Sequence, residues 1–255
     1  MIDLSGRVAL VTGGSRGIGR ACALRLAEAG ADVIVNYVTS KGAAMQLAEQ
    51  IDAMGRQAFV VKADVSQEDD VQSMIEFIED RVGQLDILVS NAATGGFRPL
   101  LESNTRHFLN AMSTNALALV LLMKYSAKLM VKSPMGRAKV IAISSHGAEK
   151  ALPWYGLIGG SKAALESLVR HLALEVGDLG VNVNVIRAGL VETDSTRRLP
   201  NAADIFERRR EKTMMGDRML EAEDVANAVL FLASPLSDMI QGETLIVDGG
   251  AAVHI

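Results

Sequence analysis

The sequence has 255 residues and one cysteine, Cys22. An internal disulfide and a cysteine metal cluster are therefore impossible, no metal site is expected, and a reducing cytoplasm is the natural setting. No window is rich in proline, serine or like charges, and no internal repeat is visible. With no linker to divide it, the chain is expected to be a single domain spanning residues 1–255. The longest apolar run, Ala116 to Met123, is far too short to span a bilayer. The first residues, Met-Ile-Asp-Leu-Ser-Gly-Arg-Val, show no basic region followed by an apolar run, so no signal peptide is expected. The formal net charge of −4 argues against a dedicated nucleic-acid binder. What the chain does have is apolar residues, 49 % of the total, which suits an α/β protein with a buried parallel sheet.

Val8 to Thr12 is an apolar, β-branched run that ends at glycines and reads as a buried strand. Gly13-Gly-Ser15-Arg16-Gly17-Ile18-Gly19 follows, and then a helical pattern from Arg20 to Glu28. A glycine-rich turn between strand and helix is an anion site. Glycine lets the backbone approach a pyrophosphate, and the helix N-terminus offers unpaired N–H groups and the positive end of its dipole. A plain strand-to-helix turn is the bland alternative.

The second strand, Asp32 to Tyr37, should end facing an adenosine ribose. An acid there would bind both ribose hydroxyls and favour NAD. The chain instead has Asn36 and Tyr37, and no acid until Glu49. Arg16, Ser40 and Lys41 can supply donors to a 2′-phosphate, which favours NADPH. Arg16 and Lys41 read otherwise as solvated surface cations. A third strand from Ala58 ends at Asp64-Val65, where a side chain could cap the adenine. Ser66 is the expected N-cap of a helix from Gln67 to Val82. Leu85 to Ser90 is a fourth strand, followed by Asn91-Ala92-Ala93, small residues that leave room at the carboxyl end of the sheet. The alternation predicts a Rossmann-like, doubly wound, seven-stranded parallel sheet with helices on both faces.

Arg106 to Lys132 reads as one long helix containing Asn115, a weak helix former better explained by a buried water or carbonyl than by propensity. Ala138 to Ser144 delivers Ser144, Ser145 and His146 to the same rim. Tyr155 and Lys162 follow, with Pro153 marking a helix start and Tyr155 expected in the first turn. The sixth strand, Asn182 to Ile186, ends in Arg187-Ala188-Gly189. A basic insertion, Leu190 to Asp217, carries Arg197, Arg198, Arg208, Arg209, Arg210 and Lys212. It reads as a solvated helix face, or as a docking surface for an acidic acyl carrier protein or its phosphopantetheine arm. Pro200, Asn201, Met214 and Met215 suit a mobile substrate lid. Glu221 to Leu232 is the next helix, and Glu243 to Val247 the last strand.

Nearly the full length resembles the short-chain dehydrogenase/reductase superfamily. The resemblance is carried by Thr12-Gly13-x3-Gly17-x-Gly19, Asp64-Val65, Asn91-Ala92-Ala93, Asn115, Ile143-Ser144-Ser145, Lys162 and Val247-Asp248-Gly249-Gly250. Commoner members carry Tyr-x3-Lys, but here Ile158 occupies the tyrosine position. Tyr155-x6-Lys162, the segment Gly147 to Tyr155 and Arg187-Ala188-Gly189 look like the enoyl-acyl-carrier-protein reductases. Combined with an ordinary glycine loop, the pattern is most similar to the type III group, which uses NADPH. Arg98-Pro99, Thr193-Asp194 and the run from Asp238 to Gly250 resemble that group too. The chain departs from the pattern at Ser145, where type I enzymes carry a second tyrosine, at Arg187, where a small residue is usual, and at Thr39, where an arginine is expected.

The resemblance implies reduction of the 2,3 double bond of an enoyl thioester held on acyl carrier protein or CoA. The implied catalytic residues are Tyr155, Lys162, Ser145 and Asn115, with Asn115 supporting a water chain to Lys162. The implied cofactor contacts are the glycine loop, Tyr37, Ser40, Lys41, Asp64, Val65, Asn91, Ala92, Ala93, Lys162, Gly189, Val191 and Thr193. A homotetramer is also implied, to which the apolar stretches 117–123 and 165–174 could contribute.

The six-residue gap puts Tyr155 and Lys162 on one helix face, about 10 Å apart along the axis. An enoyl reductase develops negative charge on an oxygen two atoms further from the hydride acceptor than a ketoreductase does. A phenol displaced outward suits that geometry, with the Lys162 charge lowering its pKa. A ketoreductase, or a non-catalytic NADPH-binding protein with Tyr155 as a packing residue, is the alternative. Ser145 and His146 are adjacent, but neighbours on a strand point to opposite faces, so they make no nucleophile pair. His107, His171 and His254 are expected to be surface or core residues.

Overall fold

The structure is a computed structural model and describes residues 2–131, 133, 136–216 and 218–253; His254 lies outside them. Seven strands form one sheet in the order β3-β2-β1-β4-β5-β6-β7: β1 Val8–Val11, β2 Asp32–Tyr37, β3 Ala58–Lys62, β4 Ile87–Ser90, β5 Ala138–Ser145, β6 Val181–Ala188 and β7 Thr244–Val247. Every pairing is parallel. The chain starts in the middle, winds outward through β2 and β3, and returns to place β4 on the other side of β1. The carboxyl ends of β1 and β4 therefore diverge into a crevice, the usual ligand position in such sheets.

Strand alternation builds two cores. Ala9 and Val11 pack with helices α1 (Gly17–Glu28), α2 (Lys41–Ala53) and α8 (Ala222–Ala233). Val8 and Leu10 pack on the opposite face with α3 (Glu68–Arg81), α5 (Ala118–Met130) and α6 (Gly156–Val176). Because both faces are covered, β1 is buried at every position and reads as a continuous apolar run. Cys22 sits in the first core, where burial pushes its thiol up to about 12 and leaves it inert.

Three local expectations are corrected. The helix from Arg106 is not continuous: α4 (Thr105–Met112) passes through a π-helical turn, Ser113–Leu117, into α5. The wide turn contains Asn115, and its extra residue swings that side chain toward the β4 loop. Ser66 does not cap α3. Gln67 is the N-cap and makes no side-chain capping bond, while the Ser66 hydroxyl donates to Asp64 Oδ1 at 2.7 Å. Pro153 does not start α6, because Trp154 takes a left-handed conformation (φ 58°) that a right-handed helix cannot extend. The helix begins at Gly156, with Tyr155 as N-cap rather than in the first turn. Most of the stretches 117–123 and 165–174 belong to the core of the protomer. Leu119, Leu122, Leu165 and Val169 are buried, and of the large apolar residues in these stretches only Leu117 and Leu174 are exposed.

Candidate active site

The crevice opens into a cleft of about 1010 Å³. Its floor is the glycine loop. Gly13 and Gly17 adopt positive φ, and Arg16 caps α1 without a side-chain bond, so the first N–H groups of the helix are free to take an anion. Gly19 lies behind the lining. A Cβ there would fall 2.4 Å from the Gly13 carbonyl oxygen and 2.5 Å from Asn91 Nδ2. Only glycine lets the helix approach the loop this closely.

Thr12 ties the two sides of the crevice together. Its hydroxyl accepts from the Asn91 and Ala92 N–H groups at 3.0 and 3.1 Å, and Asn91 Nδ2 donates back to the Thr12 carbonyl at 3.0 Å. Asn36 differs from its expected place at the ribose. It is fully buried, accepts from Gly13 N–H at 3.2 Å and donates to the Ala63 carbonyl at 2.9 Å. The strand pleat turns Asn36 away from the cleft and Tyr37 into it.

Of the sequence-predicted residues, Gly13, Ser15, Arg16, Gly17, Ile18, Tyr37, Ser40, Asp64, Val65, Asn91, Ala92, Ala93, Ser145, Tyr155, Lys162, Gly189, Val191 and Thr193 line this one cleft. Gly19, Lys41 and Asn115 are not among the lining residues. Lys41 is the exposed first residue of α2. Asn115 acts from behind. Its carboxamide accepts from Thr94 N–H at 2.8 Å and donates to the Thr94 carbonyl and Ser161 Oγ at 2.8 and 2.9 Å. The Asn115 side chain thus holds the β4 loop against α6, with both amide hydrogens taken by those two partners.

Lys162 is buried, and its ammonium donates to the Ile143 carbonyl at 2.6 Å. Burial pushes its pKa down to about 8, against an opposing pull from the Glu166 carboxylate one turn along the helix. Burial raises the Tyr155 phenol, and the Ser145 hydroxyl opposes that shift through a hydrogen bond. The direction of its shift is therefore set by burial and is opposite to the lowering expected from Lys162. The Tyr155 ring stacks on Phe97, with centroids 6.0 Å apart. Ile158 points elsewhere, against Gly95, where an added Cβ would lie 2.3 Å from Ile158 Cγ1.

Beyond the cleft floor, the 190–216 segment folds over the mouth as a 3-10 turn (Thr196–Arg198) and helix α7 (Ala202–Lys212), separated by Asn201 in a left-handed conformation. Its charge is less one-sided than the sequence implies. Arg197 pairs with Glu192 at 2.9 Å, and Arg210 pairs with Glu207. Arg208, Arg209 and Lys212 line the mouth, joined by Lys150. Met214 N–H donates to the Gly249 carbonyl at 2.8 Å, which anchors the far end of the segment.

Sequence reasoning missed two groups. His146 is buried with its Nε2 2.9 Å from Asp248 Oδ2, and burial lowers its pKa against the pull of that carboxylate. Ser144, Glu166 and Arg187 form a buried network behind Lys162. The Arg187 departure was its only sequence signal. His107 contacts Arg98, with Arg98 Nη1 2.7 Å from His107 Nε2, and His171 is exposed.

The chain is similar to known proteins along nearly its whole length. Residues 13–252 match the family described as Enoyl-(Acyl carrier protein) reductase. The chain is 34 % identical over 253 residues to 1-cyclohexenylcarbonyl-CoA reductase of Streptomyces collinus, covering 97 % of this chain and 87 % of that one. It is 35 % identical over 251 residues to 3-oxoacyl-[acyl-carrier-protein] reductase of Synechocystis, covering 98 % of each. A short-chain dehydrogenase of Burkholderia cenocepacia, crystallised in complex with NADP, superposes with a TM-score of 0.88 at 31 % identity, covering 98 % of this chain and 99 % of that one.

Proposed function

The chain belongs to the short-chain dehydrogenase/reductase superfamily, and we propose that within it the chain is an NADPH-dependent enoyl-acyl-carrier-protein reductase that reduces the 2,3 double bond of enoyl thioesters. One observation carries this reading: Tyr155, not residue 158, is presented to the cleft, while Ile158 packs on Gly95. Tyr155 thus lines the cleft together with Lys162, three residues before the position that a ketoreductase's tyrosine would take. The similarity to a reductase named for a cyclohexenylcarbonyl-CoA substrate and to the enoyl reductase family supports it.

NADPH, when bound, supplies the hydride that reaches C3 of the unsaturated thioester. The glycine loop and the N-terminus of α1 would hold its pyrophosphate, and Arg16, half-exposed at the loop, would meet the 2′-phosphate. Lys162 would hold the nicotinamide ribose hydroxyls. Tyr155 donates a hydrogen bond and then its proton to the thioester oxygen on which negative charge develops; the enol so formed takes a solvent proton at C2 and releases its O–H proton back to the phenolate, leaving the saturated thioester. Ser145 orients that oxygen alongside the phenol. Asn115 keeps the β4 loop and α6 in register.

The 190–217 segment acts as the lid, and Lys150, Arg208, Arg209 and Lys212 receive the phosphate of the carrier arm or of CoA. The exposed Leu117 and Leu174 are covered in a homotetramer. The single buried thiol suits a reducing cytoplasm. Among the described residues no helix is long and apolar enough to cross a membrane.

The test follows NADPH oxidation with crotonyl and longer enoyl thioesters, and separately with acetoacetyl thioester. Turnover of the enoyl substrates alone is expected. Preference for acetoacetyl thioester would assign a 3-oxoacyl reductase instead, and NADPH binding without turnover of either would assign a non-catalytic dinucleotide-binding protein. Carrier-bound substrate should show a steeper loss of kcat/KM with salt than a CoA substrate; equal dependence removes carrier docking from the basic mouth.

A further inference from the structure

The buried ion network behind Lys162 has a part that the proposed chemistry does not use. Arg187, 9 % exposed near the end of β6, makes a two-pronged contact with Glu166: Nε donates to Oε1 at 2.9 Å and Nη2 to Oε2 at 2.6 Å. Ser144 donates to the same Oε1 at 2.6 Å. Burial would raise the Glu166 carboxyl, but the Arg187 and Ser144 bonds outweigh it and hold the group below the ordinary range. The third arm of Arg187, Nη1, reaches Glu149 Oε2 at 2.5 Å.

The two glutamates sit on different carriers. Glu166 lies one turn beyond Lys162 on α6. Glu149 lies in the segment that joins β5 to Tyr155. One guanidinium therefore links the helix that bears the lysine to the segment that bears the phenol. Such a link is needed here for a stated reason. A tyrosine four positions before a lysine would share its helical frame. Tyr155 is the N-cap, after a left-handed Trp154, and the helix does not fix its direction. The planar fork of an arginine fixes geometry in two dimensions, whereas its net contribution to stability in a buried site is small.

Resting on Tyr155 as the proton donor, we infer that Arg187 is a positioning residue that fixes Tyr155 against Lys162 through Glu149 and Glu166. Arg187→Met strands Glu166 without its partner in the core and risks unfolding, so the test uses Glu149→Gln. The Glu149 side chain is 60 % exposed, and its replacement leaves the core intact. Small misplacements of a catalytic group lower rates steeply, and the expected loss in kcat with enoyl thioester is about tenfold, with NADPH affinity and the urea midpoint unchanged.

The same substitution is then made in a Tyr155→Phe background, where it should have no further effect on the residual rate. A wild-type kcat for Glu149→Gln overturns the inference. So does a tenfold loss that persists in the Tyr155→Phe background, and so does a loss matched by lower NADPH affinity or stability. Tyr155→Phe alone keeps the two failures apart. If it retains activity, the proton-donor assignment fails. If it loses activity while Glu149→Gln does not, only the positioning role fails.

Discussion

Lys162→Met should make the ligand-free protein more stable at neutral pH while removing its activity. An unfolded lysine titrates near 10.5, and burial brings Lys162 down to about 8 in the fold. The gap of about 2.5 units, at about 1.4 kcal/mol per unit, corresponds to roughly 3.5 kcal/mol. The 2.6 Å bond to the Ile143 carbonyl favours the charged form, so roughly 3.5 kcal/mol is an upper figure. The sign follows from proton counts. Below about pH 8 both states hold the proton, and the native state carries the full cost of a buried charge. Between about 8 and 10.5 the unfolded chain binds more protons than the native one, so wild-type stability rises with pH.

Methionine has no such titration. Urea unfolding of both proteins at pH 7, 8.5 and 10, at one protomer concentration, reads the difference directly, because all other groups cancel. The variant's advantage should shrink by up to about 3 kcal/mol across that range. A difference that stays constant with pH would show that Lys162 is not desolvated, and the account of the site would fail there.

Gly19→Ala places a Cβ 2.4 Å from the Gly13 carbonyl oxygen. It should cost about 1–3 kcal/mol in urea stability and weaken NADPH binding by fluorescence titration; wild-type values for both would refute the close-approach argument. Arg16→Ala should weaken NADPH by about tenfold and leave NADH unchanged, measured as paired dissociation constants. An equal loss for both cofactors would place Arg16 away from the 2′-phosphate.

Much of the fold was legible because its signals are local. The apolar runs at Val8, Ile34 and Val140 fall in strands buried on both faces, and glycine 13, 17 and 19 punctuate the first turn where sheet meets helix. The Tyr155–Lys162 pair could be found by spacing because both residues flank or occupy one helix. What escaped depends on position in three dimensions. Asn36 and Tyr37 are one residue apart, and only the pleat decides which of them meets the cleft. The π-turn at Asn115 exists to satisfy Thr94 and Ser161, partners 21 and 46 residues distant, which no local propensity encodes. Likewise Glu149, Glu166 and Arg187 are scattered along the chain and meet only after β5, β6 and α6 pack. The lid looked uniformly basic because glutamates that neutralise Arg197 and Arg210 are matched to them only by the fold.

The central claim is that the outward phenol of Tyr155 serves the reduction of a carbon–carbon double bond. Its most direct measurement is steady-state turnover of an enoyl thioester by Tyr155→Phe, with NADPH affinity measured in parallel. Loss of a general acid predicts a fall in kcat of about 10²-fold or more with NADPH binding unchanged. Retention of most of the wild-type kcat would contradict the account and leave Tyr155 as a packing residue beside Phe97.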